Sequence, residues 1–307
     1  MTNCIPGYIK LTETGELEKR VIALKERLKS CVVCPHHCKV DRPNNERGFC
    51  RAGADMVIDG YGPHYGEEEV LVGTGGSGTI FFSYCTLQCV FCQNCEISQY
   101  GEGFEVTPSE LSNIMLSLQK KGCHNINLVS PSHFVPQIVE SISLAAKEGL
   151  ILPVVYNTGG YDELDTLRLL EGIIDIYMPD IKFGDNVKAK KYTRSAEYFD
   201  VARNAIREMH RQVGNLVTDD KGVACKGLII RHLVMPENLS DTDNVLEFIA
   251  KEVSNKSFVN IMAQYYPAHK SYSFPELTRR ITRREYNEAV KHAENLGLEN
   301  IITSSSF

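Results

Sequence analysis

The chain has 307 residues, of which 43% are hydrophobic and 23% charged, so it can form one large domain or a domain with an extension. Its net charge of −6 and its lack of a basic block argue against a nucleic-acid substrate. Because the sequence has no apolar run of about 18 residues and no signal-peptide pattern, we expect a soluble cytoplasmic protein that does not bind membranes. We expect its eleven cysteines to bind metals rather than to form disulfides, since the cytosol keeps thiols reduced.

The N-terminal region begins with a predicted helix over residues 15–29, because Leu17, Val21, Leu24 and Leu28 recur at helical spacing on one face. A polar, loop-rich stretch follows and contains four cysteines within twenty residues: Cys31, Cys34, Cys38 and Cys50. Such a stretch cannot form an apolar core of its own. The spacing therefore predicts that a metal ties this segment together.

Zinc is the first hypothesis for this segment, since four thiolates complete a tetrahedral site. A second iron–sulfur cluster and a set of free thiols are the alternatives, and His36 or His37 could replace a cysteine as a ligand. Residues 61–69 are expected to form a turn-rich surface connector. Four glycines in residues 73–78 lack the Lys-Ser/Thr of a phosphate-binding loop, so they predict a flexible entry to a strand. We place a domain boundary between residues 1–75 and residues 76–307.

A group of three cysteines lies just after the first predicted strand, residues 79–83. Cys85, Cys89 and Cys92 have the spacing C-x3-C-x2-C, and thiolates at this spacing suit an iron–sulfur cluster or zinc. A [4Fe-4S] cluster usually takes four cysteines, so three in one loop leave one iron for another ligand. A zinc knuckle or unrelated buried thiols are the alternatives. We expect the neighbouring Cys95 to be a free thiol.

This spacing, with the aromatic Phe91 before the third cysteine, resembles the radical S-adenosylmethionine (SAM) superfamily. In that superfamily three cysteines hold the cluster, and the amino and carboxylate groups of SAM chelate the fourth iron. The continuation Cys92-Gln93-Asn94 resembles the pyruvate formate-lyase activating enzyme branch, most closely an activating-enzyme-like subgroup without an assigned substrate. That subgroup also has a cysteine-rich N-terminus.

Strands and helices alternate from residue 79 onward. Short runs rich in Ile, Val and aromatic residues predict six buried parallel strands at residues 79–83, 125–129, 152–156, 173–178, 228–234 and 258–264. Helical periodicity lies between them, and Thr107 with Glu110 and Thr282 with Glu285 predict capped helix starts. Six β/α units predict an α/β fold, a partial (β/α)6 barrel, which the resemblance implies independently.

Parallel α/β folds place their sites at the carboxyl ends of the strands. The resemblance implies that SAM-binding residues lie there, although this chain lacks the family's Gly-Gly-Glu turn. Ser130 and Ser132 are weaker candidates in its place, and His133 could contact substrate. The full set of predicted cofactor-binding residues is Phe91, Gln93, Ser130, Ser132, Asn157, Thr158, Gly159, Asp180, Lys182 and Arg231.

Six of these residues also have chemistry that suits the role. The amide of Asn157 and the hydroxyl of Thr158 suit a ribose diol, with Gly159 permitting close approach, although a plain turn would look the same. Lys182 could face the SAM carboxylate with Asp180 orienting it. Arg231, inside an apolar run, needs an anionic partner. Structural ion pairs are the alternative for both cations.

The resemblance implies an oxidoreductase that cleaves SAM reductively at a [4Fe-4S] cluster and uses the 5′-deoxyadenosyl radical to abstract hydrogen. An external one-electron reductant such as flavodoxin or ferredoxin, and an anaerobic setting, are implied with it. The hydrogen could come from a glycine of a partner glycyl-radical enzyme. The alternatives are a small molecule or another peptide as substrate, or a non-catalytic iron–sulfur or zinc scaffold or electron carrier.

Overall fold

One sheet organises residues 5–303, which are the residues described by this computed structural model. Its strands are β1 (Met56–His64), β2 (Ser77–Phe82), β3 (Phe104–Val106), β4 (Ile126–Val129), β5 (Val154–Thr158), β6 (Ile176–Pro179), β7 (Val217–Thr218), β8 (Ala224–Leu233), β9 (Phe258–Met262) and β10 (Asn300–Thr303). They are ordered β10-β9-β8-β6-β5-β4-β2-β1-β3, with β7 beside β8.

The neighbouring strands β2, β4, β5, β6, β8, β9 and β10 are parallel to one another. Strands β1, β3 and β7 pair in antiparallel fashion at the margins. The predicted α/β class with a central parallel sheet is therefore confirmed. All six predicted strands are present with shifted ends. A further parallel strand, β10, follows the last helix.

The helices are α1 (Gly7–Glu13), α2 (Glu16–Lys29), α3 (Glu69–Val72), α4 (Pro108–Lys120), α5 (Val135–Lys147), α6 (Leu164–Leu169), α7 (Asn186–Thr193), α8 (Tyr198–Val213), α9 (Thr242–Phe248) and α10 (Arg283–Asn295). The capping boxes that start α4 and α10 are both formed, because each threonine accepts the backbone N–H of the glutamate three residues later. Among residues 5–303, no helix combines the length and the apolar composition needed to cross a lipid bilayer.

The two faces of the sheet have different surroundings. One face packs under the helices in the main core, which includes Ile80, Leu128 and Ile230. The other face points into the barrel and carries a smaller apolar cluster, in which Leu71 of α3 packs with Val155 and Ile229. Helix α3 therefore fills part of the barrel interior.

The predicted surface connector at residues 61–69 differs most from the structure. Its first residues belong to β1, which pairs with β2 from Ile58 to His64, and its last residue begins α3. The N-terminal residues thus contribute a strand to the barrel sheet, and the division at residue 75 stays a prediction. The polar stretch before the fifth predicted strand forms the short β7–β8 hairpin.

Candidate active site

A cavity of about 250 Å³ opens at the carboxyl ends of the parallel strands. It brings together the cysteine triad and nearly all the cofactor-binding residues predicted after β4, β5, β6 and within β8. The residues that line it are Cys85, Leu87, Cys89, Phe91, Cys92, Gln93, Asn94, Ser98, Val129, Ser130, Asn157, Thr158, Gly159, Asp180, Lys182, Arg231, Leu233, Met262 and Gln264.

The triad lies in an irregular loop after β2, which we call the cluster loop (residues 84–95). Tyr84 begins it in the left-handed region with φ 68°, and its ring fills the space where a Cβ on Gly101 would lie. Backbone bonds from distant segments hold the loop in shape. Val90 N–H donates to the Tyr192 carbonyl, and Lys270 N–H donates to the Val90 carbonyl, both at 2.8 Å.

Two of the three sulfurs have polar neighbours that suit thiolate ligands. The Leu87 N–H donates to Cys85 Sγ at 3.3 Å, and Ser98 Oγ lies 3.1 Å from Cys92 Sγ. Burial raises the pKa of the Cys85 thiol to about 11, and burial likewise raises the pKa of Cys89 despite the nearby Lys182 ammonium. Metal binding at these cysteines must therefore displace protons.

A chain of charged groups forms the opposite wall of the cavity. Asp180 bridges two cations, accepting from Arg231 Nε at 2.7 Å and from Lys182 Nζ at 2.5 Å. Burial alone would raise the pKa of Asp180, but Arg231 and Lys182 outweigh it and lower this pKa to about 2. Asp180 is therefore ionised, and in turn it raises the pKa of Lys182 against the effect of burial.

Asn157 completes this wall. Its Oδ1 accepts from Arg231 Nη2 at 2.8 Å, which fixes the amide orientation because a guanidinium can only donate. The amide N–H groups of Asn157 are then left for a ligand. Glycines allow this close assembly: a Cβ on Gly159 would lie 2.7 Å from Leu87, and one on Gly160 would lie 2.3 Å from the Asp180 carbonyl.

Three of the predicted contact residues direct their side chains to other protein groups. Ser132 does not line the cavity, because its hydroxyl donates to the buried Asp162 at 2.6 Å. Thr158 lies at the cavity wall, but its hydroxyl donates to the same carboxylate at 2.7 Å. His133 is buried 2.8 Å from the Ser83 carbonyl and is not among the residues that line the cavity. These side chains support the strand ends rather than face a ligand.

Glu67 is a residue near the site that the sequence did not reveal. Its carboxylate lies 3.7 Å from Arg231 Nη1, on the side away from Asp180. Burial and the neighbouring Glu68 raise the pKa of Glu67, while Arg231 opposes that shift. No local motif marks this glutamate, because the contact joins positions 164 residues apart.

The four N-terminal cysteines lie beside the cluster loop. Cys34 and Cys50 are close enough to each other and to Cys31 and Cys38 for their charges to interact, and Cys38 Sγ accepts from the Phe49 N–H at 3.3 Å. Across residues 5–303, however, no three His, Cys, Asp or Glu side chains converge closely enough to hold a single metal ion. Single-ion binding here would need these side chains to turn inward.

Two hydrogen bonds connect this segment to the cluster loop. His36 Nε2 lies 2.7 Å from the Thr86 carbonyl, and its ring stacks on Phe49 with centroids 3.7 Å apart. Gln88 Nε2 donates to the Phe49 carbonyl at 3.3 Å. Direct hydrogen bonds therefore connect the segment of the four N-terminal cysteines to the cluster loop.

The remaining cysteines fall into two kinds. Cys95 and the buried Cys123 form no disulfide, and the expectation that Cys95 is not a metal ligand stays a prediction. Cys225 is disulfide-bonded, so the expectation that the cysteines would not form disulfides is wrong at this position. Cys225 lies near the start of β8, apart from both cysteine groups.

Fold and site together define a class of protein. A sequence profile of the Radical SAM superfamily matches residues 79–249, just over half of the chain. The chain belongs to the radical SAM superfamily, and the predicted recognition is confirmed at that level. Membership identifies it as an enzyme and implies a [4Fe-4S] cluster and SAM.

Among individual proteins, the chain is similar to Uncharacterized protein MJ0674 of Methanocaldococcus jannaschii, with 34% identity over 293 residues, 92% of this chain and 80% of that protein. Uncharacterized protein MJ0808 of the same organism is 25% identical over 171 residues, 50% of this chain and 49% of that protein.

Solved structures show weaker similarity. Streptococcus suis SuiB bound to its precursor peptide SuiA has a TM-score of 0.49 at 13% identity, covering 72% of this chain and 47% of SuiB. The FeFe-hydrogenase maturase HydG from Carboxydothermus hydrogenoformans also has a TM-score of 0.49, at 14% identity, covering 73% of this chain and 52% of HydG. The chain thus spans about half the length of these proteins, and similarity this low carries no information on substrate.

The residues present fit the implied groups. Three thiols in one loop, two of them with polar hydrogen-bond neighbours at sulfur, match a cluster with one iron not bound by cysteine. The facing wall offers the amide of Asn157 and the ammonium of Lys182 to a polar ligand that carries a carboxylate.

Proposed function

We propose that this enzyme binds a [4Fe-4S] cluster at Cys85, Cys89 and Cys92 and cleaves SAM reductively in the adjoining cavity. Bound there, cluster and SAM would supply a 5′-deoxyadenosyl radical and methionine, using one electron from an external reductant. The observation that supports this most strongly is the single cavity shared by the triad and the charged wall. An electron carrier without turnover would not need that wall.

The chain's own residues then have distinct roles. Lys182, oriented by Asp180, would hold the carboxylate of SAM, and Arg231 holds both Asp180 and the amide of Asn157 in place. Phe91 shields the cluster side of the cavity, since its ring packs against Phe183 and Tyr265 at centroid distances of 6.0 and 6.1 Å.

The remaining assignments are also proposals. Gln93 donates to the Gln264 carbonyl at 3.2 Å and ties the end of the cluster loop to the segment after β9. Ser130 and Gly159 give backbone access to the ligand from the cavity wall. We place the reaction in the cytoplasm under anaerobic conditions, with flavodoxin or ferredoxin as the electron donor.

The hydrogen donor falls in one of two classes. The Cys92-Gln93-Asn94 continuation favours a glycine of a partner glycyl-radical enzyme, as in activating enzymes. A small molecule or another peptide is the second class. Formation of 5′-deoxyadenosine that depends on a glycyl-radical enzyme supports the first class, and deuterium transfer from a labelled metabolite supports the second.

We further propose that Cys31, Cys34, Cys38 and Cys50 bind zinc or a second iron–sulfur cluster. Arg42 supports this, because it is buried, donates only to the Gly53 and His133 carbonyls among the described residues, and lowers the pKa of Cys50 against the effect of burial. A buried cation without a carboxylate partner matches the negative charge of a metal held by four thiolates.

Anaerobic reconstitution tests both assignments. Iron, sulfide and zinc are counted in wild type, in the Cys85→Ala/Cys89→Ala/Cys92→Ala variant, in Cys31→Ala/Cys34→Ala, and in Cys95→Ala as the matched control. We expect the triple variant to lose about four irons and all SAM cleavage, the N-terminal variant to lose only its own metal, and Cys95→Ala to match wild type. Unchanged iron in the triple variant would refute the main assignment.

A further inference from the structure

The barrel interior beside the cavity is less filled than the layer under the helices. Val129 and Leu233 line the cavity, and Phe81 and Asn260 are the strand partners of Val129 and Arg231 on the same inward face. All four are only half-buried, whereas their outward-pointing neighbours along the strands are fully buried. The open space on this face therefore lies inside the barrel.

Two carboxylates, in the residues that lead into α3, contact side chains of this inward face. Glu68 Oε1 accepts from Asn260 Nδ2 at 2.9 Å, while its buried Oε2 has no hydrogen-bond partner in the described structure. Glu67 lies 3.7 Å from both Arg231 Nη1 and His64 Nδ1, and it makes no closer ion pair among the described residues. Arg231 is already bonded to Asp180 and Asn157, so this side of the interior has negative charge that it does not fully compensate.

Asn127 provides an independent observation. It is 0% exposed, and neither its Oδ1 nor its Nδ2 has a hydrogen-bond partner among residues 5–303. It lies two residues before Val129 on β4, so its side chain points into the barrel as Val129 does. Its strand partner Val155 packs against Leu71, one turn after Glu68, which places Asn127 beside α3.

Buried polar atoms without partners are uncommon, and a buried carboxylate needs a cation or a proton. A primary ammonium group offers three N–H donors and one positive charge, which suits a free carboxylate oxygen and a free amide oxygen together. A neutral hydroxyl would satisfy the hydrogen bonds and leave the charge unbalanced.

We propose that this interior space is the substrate subsite and that Glu68, with Glu67 and Asn127, binds an ammonium group of the substrate. The inference rests on the proposed radical SAM function and adds the chemical class of the substrate. The ammonium belongs either to a small amine or to a lysine side chain of a peptide.

Ligand-observed NMR and calorimetry on the reconstituted full chain test this, with n-butylamine, acetyl-Gly-Lys-Gly-amide and the neutral n-butanol as probes. We expect an ammonium probe to bind and n-butanol not to bind. Glu68→Gln, which removes the charge and keeps the shape, should weaken that binding about tenfold to 100-fold. Preference for the peptide identifies a lysine source, and preference for n-butylamine identifies a small amine.

Glu69→Gln is the matched control, because the neighbouring Glu69 is exposed, and it should bind as wild type does. Asn127→Leu is a second variant that does not depend on how Glu68→Gln folds, and it should also weaken ammonium binding. The proposal is overturned if no ammonium probe binds, if n-butanol binds equally well, or if both variants bind like wild type.

Dithionite-driven formation of 5′-deoxyadenosine from SAM is measured in the same preparations. Cleavage without ammonium binding overturns the subsite and leaves the proposed function intact. Ammonium binding without cleavage overturns the proposed function instead.

Discussion

The two cysteine groups contain the same ligand type in different surroundings. Cys85, Cys89 and Cys92 line a cavity whose other wall has two cations, a carboxylate and an amide. The four N-terminal cysteines pack among His36, Phe49 and the buried Arg42, outside that cavity. Under the proposed function, the space and charge beside the thiols, rather than the thiols themselves, distinguish the proposed reactive centre from the proposed supporting one.

Replacing one cysteine in each group should have the largest effect and tests whether the two groups differ in role. Cys89→Ser should reduce SAM cleavage by more than the roughly 100-fold that loss of a supporting residue costs, because it removes a proposed cluster ligand. Cys34→Ser should lower the free energy of unfolding and retain measurable cleavage. Cleavage is followed as 5′-deoxyadenosine by chromatography, and equal loss in both variants would remove the distinction between the groups.

The charged wall is tested by Asp180→Asn. This change leaves Arg231 and Lys182, with side chains 17% and 19% exposed, without their shared anion, and should cost about 3–5 kcal/mol in urea unfolding. Asp165→Asn is the control, since its side chain is 61% exposed in an ion pair with Arg168, and it should unfold like wild type. A cost below about 1 kcal/mol for Asp180→Asn would mean that pairing of Asp180 with the two cations does not stabilise the folded protein.

Acid titration examines the same wall without a mutation. The pKa of Asp180 is lowered to about 2 in the folded protein, below its ordinary 3.8. A depressed carboxyl pKa contributes stability that is fully present above the unfolded value and is lost as the pH falls from about 4 to about 2. The pH dependence of unfolding in this window should therefore be steeper for wild type than for Asp180→Asn, and identical slopes would contradict the assignment.

His36 connects the two cysteine groups, so His36→Leu tests whether this connection stabilises the folded protein. Burial lowers the pKa of His36, which keeps the ring neutral and able to donate from Nε2 to the Thr86 carbonyl. Losing that bond and the stacking on Phe49 should cost about 1–2 kcal/mol. His37→Leu is the control, because that side chain is half-exposed and pairs with Glu163 instead. Both are measured by urea unfolding of the reconstituted protein.

The smallest expected effect concerns Ser98, which lies 3.1 Å from Cys92 Sγ. A hydrogen bond to a cluster sulfur raises the reduction potential, so Ser98→Ala should lower it by on the order of 40 mV, the equivalent of about 1 kcal/mol for one electron. Thr107→Ala at the start of α4 is a distant control, and its potential should equal that of wild type. Potentiometric titration followed by EPR gives both values.

Much of the fold follows from local patterns in the sequence. The six predicted parallel strands are runs of buried Ile, Val and aromatic residues, and the capped helix starts at Thr107 and Thr282 are local signals as well. Strand β1 was missed because Gly60, Gly62 and Pro63 indicate turns. Pro63 is tolerated because β3 pairs only with Met56–Ile58, so the far side of Pro63 has no strand partner among the described residues.

The sequence predicted which residues of the site lie at strand ends. It did not predict which way their side chains point. Asn157, Asp180, Lys182 and Arg231 all reach the cavity, as their positions in the strands predicted. Ser132 also follows a strand, but its hydroxyl is taken by Asp162, thirty residues away. Such pairings, like that of Glu67 with Arg231, depend on long-range packing that single-sequence patterns do not contain.

The cluster loop is irregular, yet its backbone is anchored to segments far along the chain. Gln88 and Val90 N–H groups donate to carbonyls at the end of α7, and Tyr84 N–H donates to the Ile97 carbonyl. These bonds restrict the conformations open to the loop, so the loop has less conformational entropy to lose when the proposed cluster binds.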